Sequence, residues 1–330
     1  MTARRWSGLA AALILLALAV ALSISVGTRS IPLLDVWRLV LGGGDNLETD
    51  ILRDGRVPRT LLGLEVGASL ALAGALMQAL TRNPLADPGL LGVNAGAAAG
   101  VVAAMAAFGV TSFTGYVWFA IAGAALTTLL VYALGSRGAG SATPARLVLA
   151  GLAVTATLTA AITAVVLTNP RVFDQFRTWE VGSLSGRGGV APMVAPFAVA
   201  GVAAGLLLAR QLNALALGDD MGRALGAMPV RTRAGSIVAI TALCGAATAA
   251  VGPMVFVGLA VPQIARIVCG ADHRWIAAYS LLLGPVLVLV ADVIGRVADR
   301  PGELQAGVVV AFLGAPFFIA LVRRDRIGTG

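Results

Sequence analysis

Ten long apolar runs follow one another along this 330-residue chain, separated by short segments rich in arginine, glycine or proline. A bilayer core about 30 Å thick requires about 20 helical residues per crossing, so runs of this length predict membrane-spanning helices. The predicted spans are Trp6–Val26, Val57–Leu80, Leu91–Phe108, Gly115–Leu134, Ala145–Leu167, Ala191–Ala209, Ala234–Val251, Val255–Cys269, Ile276–Ile294 and Leu304–Val322. We therefore predict an all-α polytopic membrane protein with a single transmembrane domain over residues 1–330.

The composition also favours a bilayer over water. The chain is 58% hydrophobic and 12% charged, whereas soluble domains are about 45–50% apolar and about 25% charged. The formal charge of +8 comes from arginines between the apolar runs, so membrane topology explains it better than nucleic-acid binding. The two cysteines, Cys244 and Cys269, form neither a disulfide framework nor a metal-ligand spacing. We expect both to be small buried residues.

The distribution of arginines predicts the orientation. The first run has a basic start and is longer than the apolar core of a signal peptide, which is about 7–15 residues, so we expect a retained first helix. With the N-terminus inside, 14 of the 24 arginines lie on the cytoplasmic side, including Arg4, Arg5 and those of the terminal RRDR segment. Because cytoplasmic loops carry an excess of basic residues, we predict that both termini are cytoplasmic.

A series of ordered motifs points to a known family. The segments are RVPRTLLGLEVGASLALAGALMQALTRNPLADPGLLGVNAGA, LNALALGDDMGRALG, VGPMVFVGLAVPQIAR and GELQAGVVVAFLGAPFFIALVRR. Together they resemble the iron-chelate and vitamin B12 family of ABC importer permeases, and the resemblance extends over nearly the whole chain. Within that family, TRNPLADPGLLGVNAGA and NPRVFDQFRTWEVGSL are most similar to ferric enterobactin-type siderophore permeases.

The resemblance implies a type II ABC importer permease of about ten helices in the cytoplasmic membrane of a bacterium. It implies a second permease subunit, identical or paralogous, two cytoplasmic ATPase subunits that use ATP and magnesium, and an extracytoplasmic substrate-binding protein. The implied substrate is a ferric siderophore, with heme or cobalamin as the alternative. The sequence contains no Walker A motif, so we expect a transporter subunit that is not itself an enzyme and binds no cofactor.

Three arginines are candidates for docking the binding protein. Arg56 and Arg59 lie at the outer end of the second predicted span, and Arg296 ends the ninth on the same side. Guanidinium groups bind carboxylates bidentately, and the resemblance implies that these arginines pair with glutamates of the binding protein. The alternative is that they are ordinary helix-end charges at the lipid headgroups.

Two cytoplasmic loops match functional segments of the family. The resemblance assigns contact with the ATPases to a coupling helix, although a solvated loop is the alternative; its residues here are Asp219, Asp220, Met221, Gly222, Arg223, Ala224, Leu225 and Gly226. The resemblance also places a cytoplasmic gate at Thr143, Pro144 and Ala145, where relatives often carry hydroxyls at the last two positions. A proline that simply begins a helix is the alternative interpretation of that triplet.

Glu65 is the one carboxylate predicted to lie well inside a span. An acid in the membrane is costly unless it is paired or protonated, which makes Glu65 a candidate functional residue, and Ser69 is a possible hydrogen-bond partner one turn away. A neutral, buried carboxyl group near the outer end of the span is favoured over a proton relay, and an ion-coupled secondary transporter would depend on Glu65 alone. A membrane enzyme would require a cluster of His, Cys or carboxylate residues, which the sequence does not provide.

Two further segments are predicted to be structural. Asn83 and Asp87 within NPLADP are residues whose side chains bond nearby backbone in turns. Phe173, Phe176 and Trp179 recur every three residues and predict the apolar face of a short interfacial helix, with Trp179 at the lipid headgroups. Contact of that face with the delivered chelate is the alternative.

Overall fold

A computed structural model describes residues 2–27, 47–136, 143–299 and 302–327, and they contain no strand. Twelve α-helices of six or more residues are α1 Thr2–Ser25, α2 Val57–Thr81, α3 Val93–Phe108, α4 Phe113–Gly135, α5 Pro144–Thr168, α6 Pro170–Glu180, α7 Ala191–Ala216, α8 Asp219–Ala224, α9 Pro229–Val251, α10 Val257–Cys269, α11 His273–Ala298 and α12 Ala306–Ile327. A four-residue α-helical turn at Leu47–Asp50 and a six-residue π-helical segment at Ile51–Arg56 lead into α2. The predicted all-α class is confirmed for this part of the chain.

Seven of these helices are long and apolar enough to cross a membrane, namely α1, α2, α4, α5, α7, α9 and α11. Three shorter apolar helices, α3, α10 and α12, coincide with the third, eighth and tenth predicted runs. The count of about ten spans therefore stays a prediction, as does the orientation of the termini. Among the larger differences in boundary, α7 continues to Ala216 and α9 begins at Pro229, because polar residues extend both helices beyond their apolar cores.

The centre of the bundle is α2, which is buried along most of its length. It packs against α7, α9, α10 and α11, and glycines allow the close approach. A Cβ atom added at Gly67 would lie 2.5 Å from the backbone nitrogen of Pro285, and one at Gly74 would overlap the backbone of Gly258. Small residues at helix interfaces are the usual solution in membranes, and Gly67 and Gly74 serve this close packing of α2.

The NPLADP segment forms the predicted turn between α2 and α3. Asn83 Oδ1 accepts a hydrogen bond from the backbone of Leu85 at 2.9 Å, and Asp87 Oδ1 accepts one from the backbone of Gly89 at 2.8 Å. A 3₁₀ turn over Pro88–Leu91 follows. The side-chain amide of Gln263, on α10, also donates to the carbonyl of Pro84. The turn is therefore built by local hydrogen bonds and fixed to a distant helix.

The helix predicted around Phe173 is confirmed as α6, but the position of Trp179 at the headgroups is wrong. Trp179 is fully buried and stacks on Phe176 with a centroid distance of 5.8 Å. The physical reason is that α6 folds back onto α3 and α5, so this face packs against protein. Phe173 alone remains exposed.

Candidate functional site

A cluster of charged side chains lies on one face of the bundle, beside the last turn of α1, the start of α2 and the end of α11. It comprises Arg56, Arg59, Asp292, Arg296 and Glu303 and is called the outer cluster. Asp292 is its centre, with only 1% of its side chain exposed. Arg59 donates to the Asp292 carboxylate at 2.8–3.2 Å through Nε and Nη2. Arg296 Nη2 donates to the same carboxylate at 2.7 Å. One buried anion therefore holds two arginines from different helices.

The end of α1 is tied to this cluster by two arginines. Arg296 Nη1 donates to the carbonyls of Ser23 and Val26 at 2.8 and 3.0 Å. Arg56 Nη1 donates to the carbonyls of Ile24 and Ser25 at 2.8 and 2.9 Å. The last carbonyls of a helix have no partner within the helix and carry partial negative charge. Arg56 and Arg296 supply both the donors and the positive charge.

The three arginines predicted to dock a binding protein thus lie together, and their docking role stays a prediction. Arg56 and Arg296 are buried. The pair nearest the surface is Arg59 and Glu303, whose side chains are 12% and 30% exposed and which meet at 2.8 Å. Sequence reasoning missed Asp292 and Glu303. Asp292 stands four residues before Arg296, the spacing of an ion pair on one helix, and this signal was available in the sequence.

At the opposite end of α2, the predicted coupling segment forms the short helix α8. Asp219 at its start accepts hydrogen bonds from Arg82 at 2.6 Å and from Arg233 at 2.7 Å. Burial acts to raise the pKa of Asp219, but the hydrogen bonds and positive charges of Arg82 and Arg233 outweigh it and lower the pKa. Because the folded pKa is depressed, this contribution to stability is present at neutral pH and is lost as the pH falls through the folded value.

Apolar side chains cover the outward side of α8. Met221 and Leu225 are 55% and 60% exposed, and Leu217 and Met228 beside them are also exposed; these four residues are called the inner apolar patch. Gly222 is buried, and a Cβ atom there would lie 2.8 Å from Leu215 Cδ2. Exposed apolar surface outside the membrane-spanning runs is typical of a protein contact.

The remaining residues of the segment are polar or terminate the helix. Asp220 is almost fully exposed and forms an ion pair with Arg223 at 2.8 Å. Ala224 is the last residue of α8, and Gly226 follows with a φ of 83°. The coupling role of the whole segment stays a prediction, although the helix itself is present.

The predicted gate triplet begins α5. Thr143 precedes the helix and its hydroxyl accepts from the backbone of Arg146 at 3.5 Å, while Pro144 occupies the first turn and Ala145 is exposed. These are the features of a helix start, which agrees with the alternative interpretation. Residues 137–142 of the same loop lie outside the described residues. A gate at this position stays a prediction.

Glu65 faces a groove of about 420 Å³ between α1, α2, α7 and α11. Its Oε1 atom is buried, and the described residues offer it no hydrogen-bond partner. The suggested bond to Ser69 does not form, because Ser69 is buried in the bundle whereas Glu65 is only half-buried on the groove side. Burial of a carboxyl group without a partner is costly for its charged form.

Replacement of Glu65 by glutamine tests whether this carboxyl group takes part in transport. If Glu65 is only structural, Glu65→Gln should leave uptake within about twofold of the parent, since the amide has the same shape and no ion pair is lost. Uptake into vesicles at several external pH values is the measurement. A pH dependence that is present in the parent and absent in Glu65→Gln would instead assign Glu65 to a proton relay.

The remaining sequence expectations concern single residues. Cys244 and Cys269 are buried, as expected. His273 is the first residue of α11, where its backbone N–H donates to Asn213 Oδ1 at 2.8 Å. In the part of the chain that the structure describes, no group of three His, Cys, Asp or Glu side chains is placed to hold a metal ion.

The bundle has the fold of an ABC-transporter permease subunit. A solved structure of a metal-chelate type ABC transporter in an inward-facing conformation matches it with a TM-score of 0.84 at 26% sequence identity, over 97% of this chain and 99% of that chain. The model of the FecCD transport family matches residues 15–324. The chain belongs to the FecCD transport family.

Curated relatives cover most of the chain. The ferric enterobactin transport system permease protein FepD of Escherichia coli is 49% identical over 318 residues, which is 96% of this chain and 95% of FepD. The siderophore transport system permease protein YfiZ of Bacillus subtilis is 36% identical over 97% of this chain and 96% of its own. The hemin transport system permease protein HmuU of Yersinia pestis is 36% identical over 82% of both chains.

Proposed function

We propose that this chain is the transmembrane permease subunit of a binding-protein-dependent ABC importer that carries ferric siderophores across the bacterial cytoplasmic membrane. The observation that carries the proposal is the 49% identity to a ferric enterobactin permease over nearly the full length of both chains. Heme or cobalamin is the second candidate substrate, favoured by the similarity to a hemin permease. An ion-coupled transporter would rest on Glu65 alone and has no other support.

The proposed topology has ten spans with both termini in the cytoplasm. Seven long helices and three shorter apolar helices support that number. The excess of arginines on the proposed inner side supports the orientation. With this topology the outer cluster faces the binding protein and α8 faces the cytoplasm.

Three kinds of partner follow from the proposal. A second permease subunit completes the path, and α5, which has few buried residues, offers a large apolar surface for it or for lipid. Two ATPases bind ATP and magnesium, and they contact the inner apolar patch. Exposed Met221 and Leu225 on either side of buried Gly222 support this assignment. The third partner, a binding protein, delivers the chelate at the outer cluster. This chain itself binds no cofactor.

The docking contact is proposed to be an exchange of carboxylates at Arg59. Glu303 occupies one side of the Arg59 guanidinium and is partly exposed, whereas buried Asp292 occupies the other side. A carboxylate of the binding protein that reaches Arg59 would therefore replace Glu303 and leave Asp292 in place. Because Asp292 stays bound and a new carboxylate replaces Glu303, the exchange leaves no buried charge without a partner, which would be costly.

Glu303→Gln is expected to tighten binding of the substrate-binding protein by about threefold to tenfold, because the competing internal anion is removed while the Arg59–Asp292 pair is kept. The affinity of the permease complex for the binding protein, measured by surface plasmon resonance, checks this result.

Arg59→Glu should weaken the affinity for the binding protein at least about tenfold. Arg171→Glu, an exposed arginine at the start of α6, is the matched control. Unchanged affinity in both test variants would remove docking from Arg59.

The substrate is tested by uptake in a strain that lacks its own siderophore permeases. The chain is expressed with its ATPase and binding protein, and iron-labelled ferric catecholate, ferric hydroxamate and heme are supplied separately. Energy-dependent accumulation of a ferric siderophore is expected. Accumulation of heme alone would replace the proposed substrate, and accumulation of none of these compounds would contradict the proposed function.

A further inference from the structure

A narrow groove opens on the surface of the bundle between α4, α7 and α9. It has a volume of about 470 Å³ and extends along α4 from Ile121 to Tyr132. At 1.5 Å per helical residue, this length is about 16 Å. Leu129 and Val238 line it and are both largely exposed, so the groove is open along its side and is not a closed cavity.

Three of the side chains that line the groove carry a hydroxyl group, namely Thr128, Thr241 and Tyr132. Thr128 and Thr241 are its only threonines, and their hydroxyls donate to the carbonyls of Ala124 and Ile237, at 3.0 and 2.8 Å within their own helices. The remaining lining is aliphatic or aromatic. The Tyr132 hydroxyl belongs to one end of the groove, and the apolar lining between the two ends suits a hydrocarbon chain.

A positive charge stands at one end of this groove. Ala234 lines the end that lies near the start of α9, and Arg231 precedes it by one helical turn. Arg231 is exposed; its guanidinium contacts Met228 Sδ at 3.4 Å, and no carboxylate among the described residues pairs with it. Arg233 on the same turn is different, because it holds Asp219. Arg231 is therefore a cation available to a ligand at this end of the groove.

We propose that the groove binds one acyl chain of an anionic phospholipid from the cytoplasmic leaflet and that Arg231 holds its phosphate. The cytoplasmic side of Arg231 rests on the topology under the proposed function. Basic residues between membrane helices on that side are suited to anionic headgroups. A neutral lipid fills the same groove but gains no charge pairing, and a second protein chain requires a wider surface than one groove.

Lipid retention by the purified permease complex tests the proposal. The complex is exchanged into detergent with phosphatidylglycerol or with phosphatidylcholine of the same acyl chains, and bound lipid is counted by native mass spectrometry. The parent should retain phosphatidylglycerol preferentially. Arg231→Gln should lower that retention about fivefold, the factor that one arginine near an anionic leaflet contributes, and leave phosphatidylcholine unchanged. Val238→Trp should displace both lipids because the indole fills the groove.

Two variants control for charge and for bulk. Arg274→Gln removes an exposed arginine at the start of α11, away from the groove, and Leu207→Trp adds an indole at an exposed position of α7 that does not line it. Equal retention of the two lipids by the parent overturns the proposal. So does an effect of Arg231→Gln no larger than that of Arg274→Gln.

The orientation is measured independently. The Arg231→Cys variant should react with a membrane-impermeant thiol reagent only from the cytoplasmic side, since Cys244 and Cys269 are buried. Reaction only from outside would overturn the cytoplasmic leaflet as the lipid source and the proposed topology together. Lipid selectivity without uptake of any chelate would support the lipid site and contradict the proposed transport function, so the two failures are distinguishable.

Discussion

Asp292→Asn is expected to lower the free energy of unfolding by about 3–5 kcal/mol, because it leaves two buried guanidinium groups without their shared anion. Asp292 is 1% exposed and binds both Arg59 and Arg296 at 2.7–3.2 Å. Asparagine has the same size, so packing is unchanged and the effect is one of charge. Thermal unfolding of the detergent-solubilised complex, followed by tryptophan fluorescence, measures the loss.

Asp299→Asn is the matched control for this substitution. Asp299 follows the end of α11 and is exposed, and surface substitutions of this kind usually change stability by less than about 0.5 kcal/mol. Asp292→Glu keeps the charge and should be milder than Asp292→Asn, which preserves a comparison if the asparagine variant fails to accumulate. Equal stability of the Asp292→Asn and Asp299→Asn variants would show that the outer cluster does not hold the helices together.

Leu225→Glu is expected to separate the permease from its ATPases. A charge in the centre of an apolar contact typically costs 2 kcal/mol or more, a factor of about 30 in affinity. Leu225 is 60% exposed and outside the core, so the level of permease in the membrane should stay unchanged. Co-purification of the ATPase and uptake into inverted or right-side-out vesicles measure the loss.

Two further variants of α8 sharpen that result. Asp220→Ser changes an almost fully exposed residue whose ion pair is with Arg223 of the same helix, so coupling should be retained. Gly222→Val forces a Cβ atom against Leu215 and should tilt α8, with partial loss of coupling. Normal co-purification of the ATPase with the Leu225→Glu permease would contradict the assignment of the inner apolar patch.

The apolar runs predicted the helices well because length and hydropathy are local properties of the sequence. Helix ends were predicted less well, as α9 shows. The segment Pro229–Arg233 contains two arginines and no long apolar run, yet it is helical, because proline suits the first turn of a helix. Polar residues at a helix start give no hydropathy signal.

In most cases the sequence could not predict which side chains the candidate residues contact. The Arg296–Asp292 pair lies within one helix, and its four-residue spacing can be seen in the sequence. Arg59 reaches Asp292 because glycines allow α2 and α11 to pack closely, which the sequence does not show. The same limit applies to Trp179, whose spacing with Phe173 and Phe176 marks one face of a helix but does not state what that face contacts. Burial against α3 and α5 is a property of the tertiary fold.

The two ends of α2 connect the two faces of the protein through charged contacts. At one end Arg59 belongs to the outer cluster, and just beyond the other end Arg82 binds Asp219 at the start of α8. The distance between these positions along a helix is about 35 Å, and the intervening residues are packed on most sides. We expect a buried helix of this kind to move as one rigid body, so that a displacement imposed on Arg59 would also displace α8.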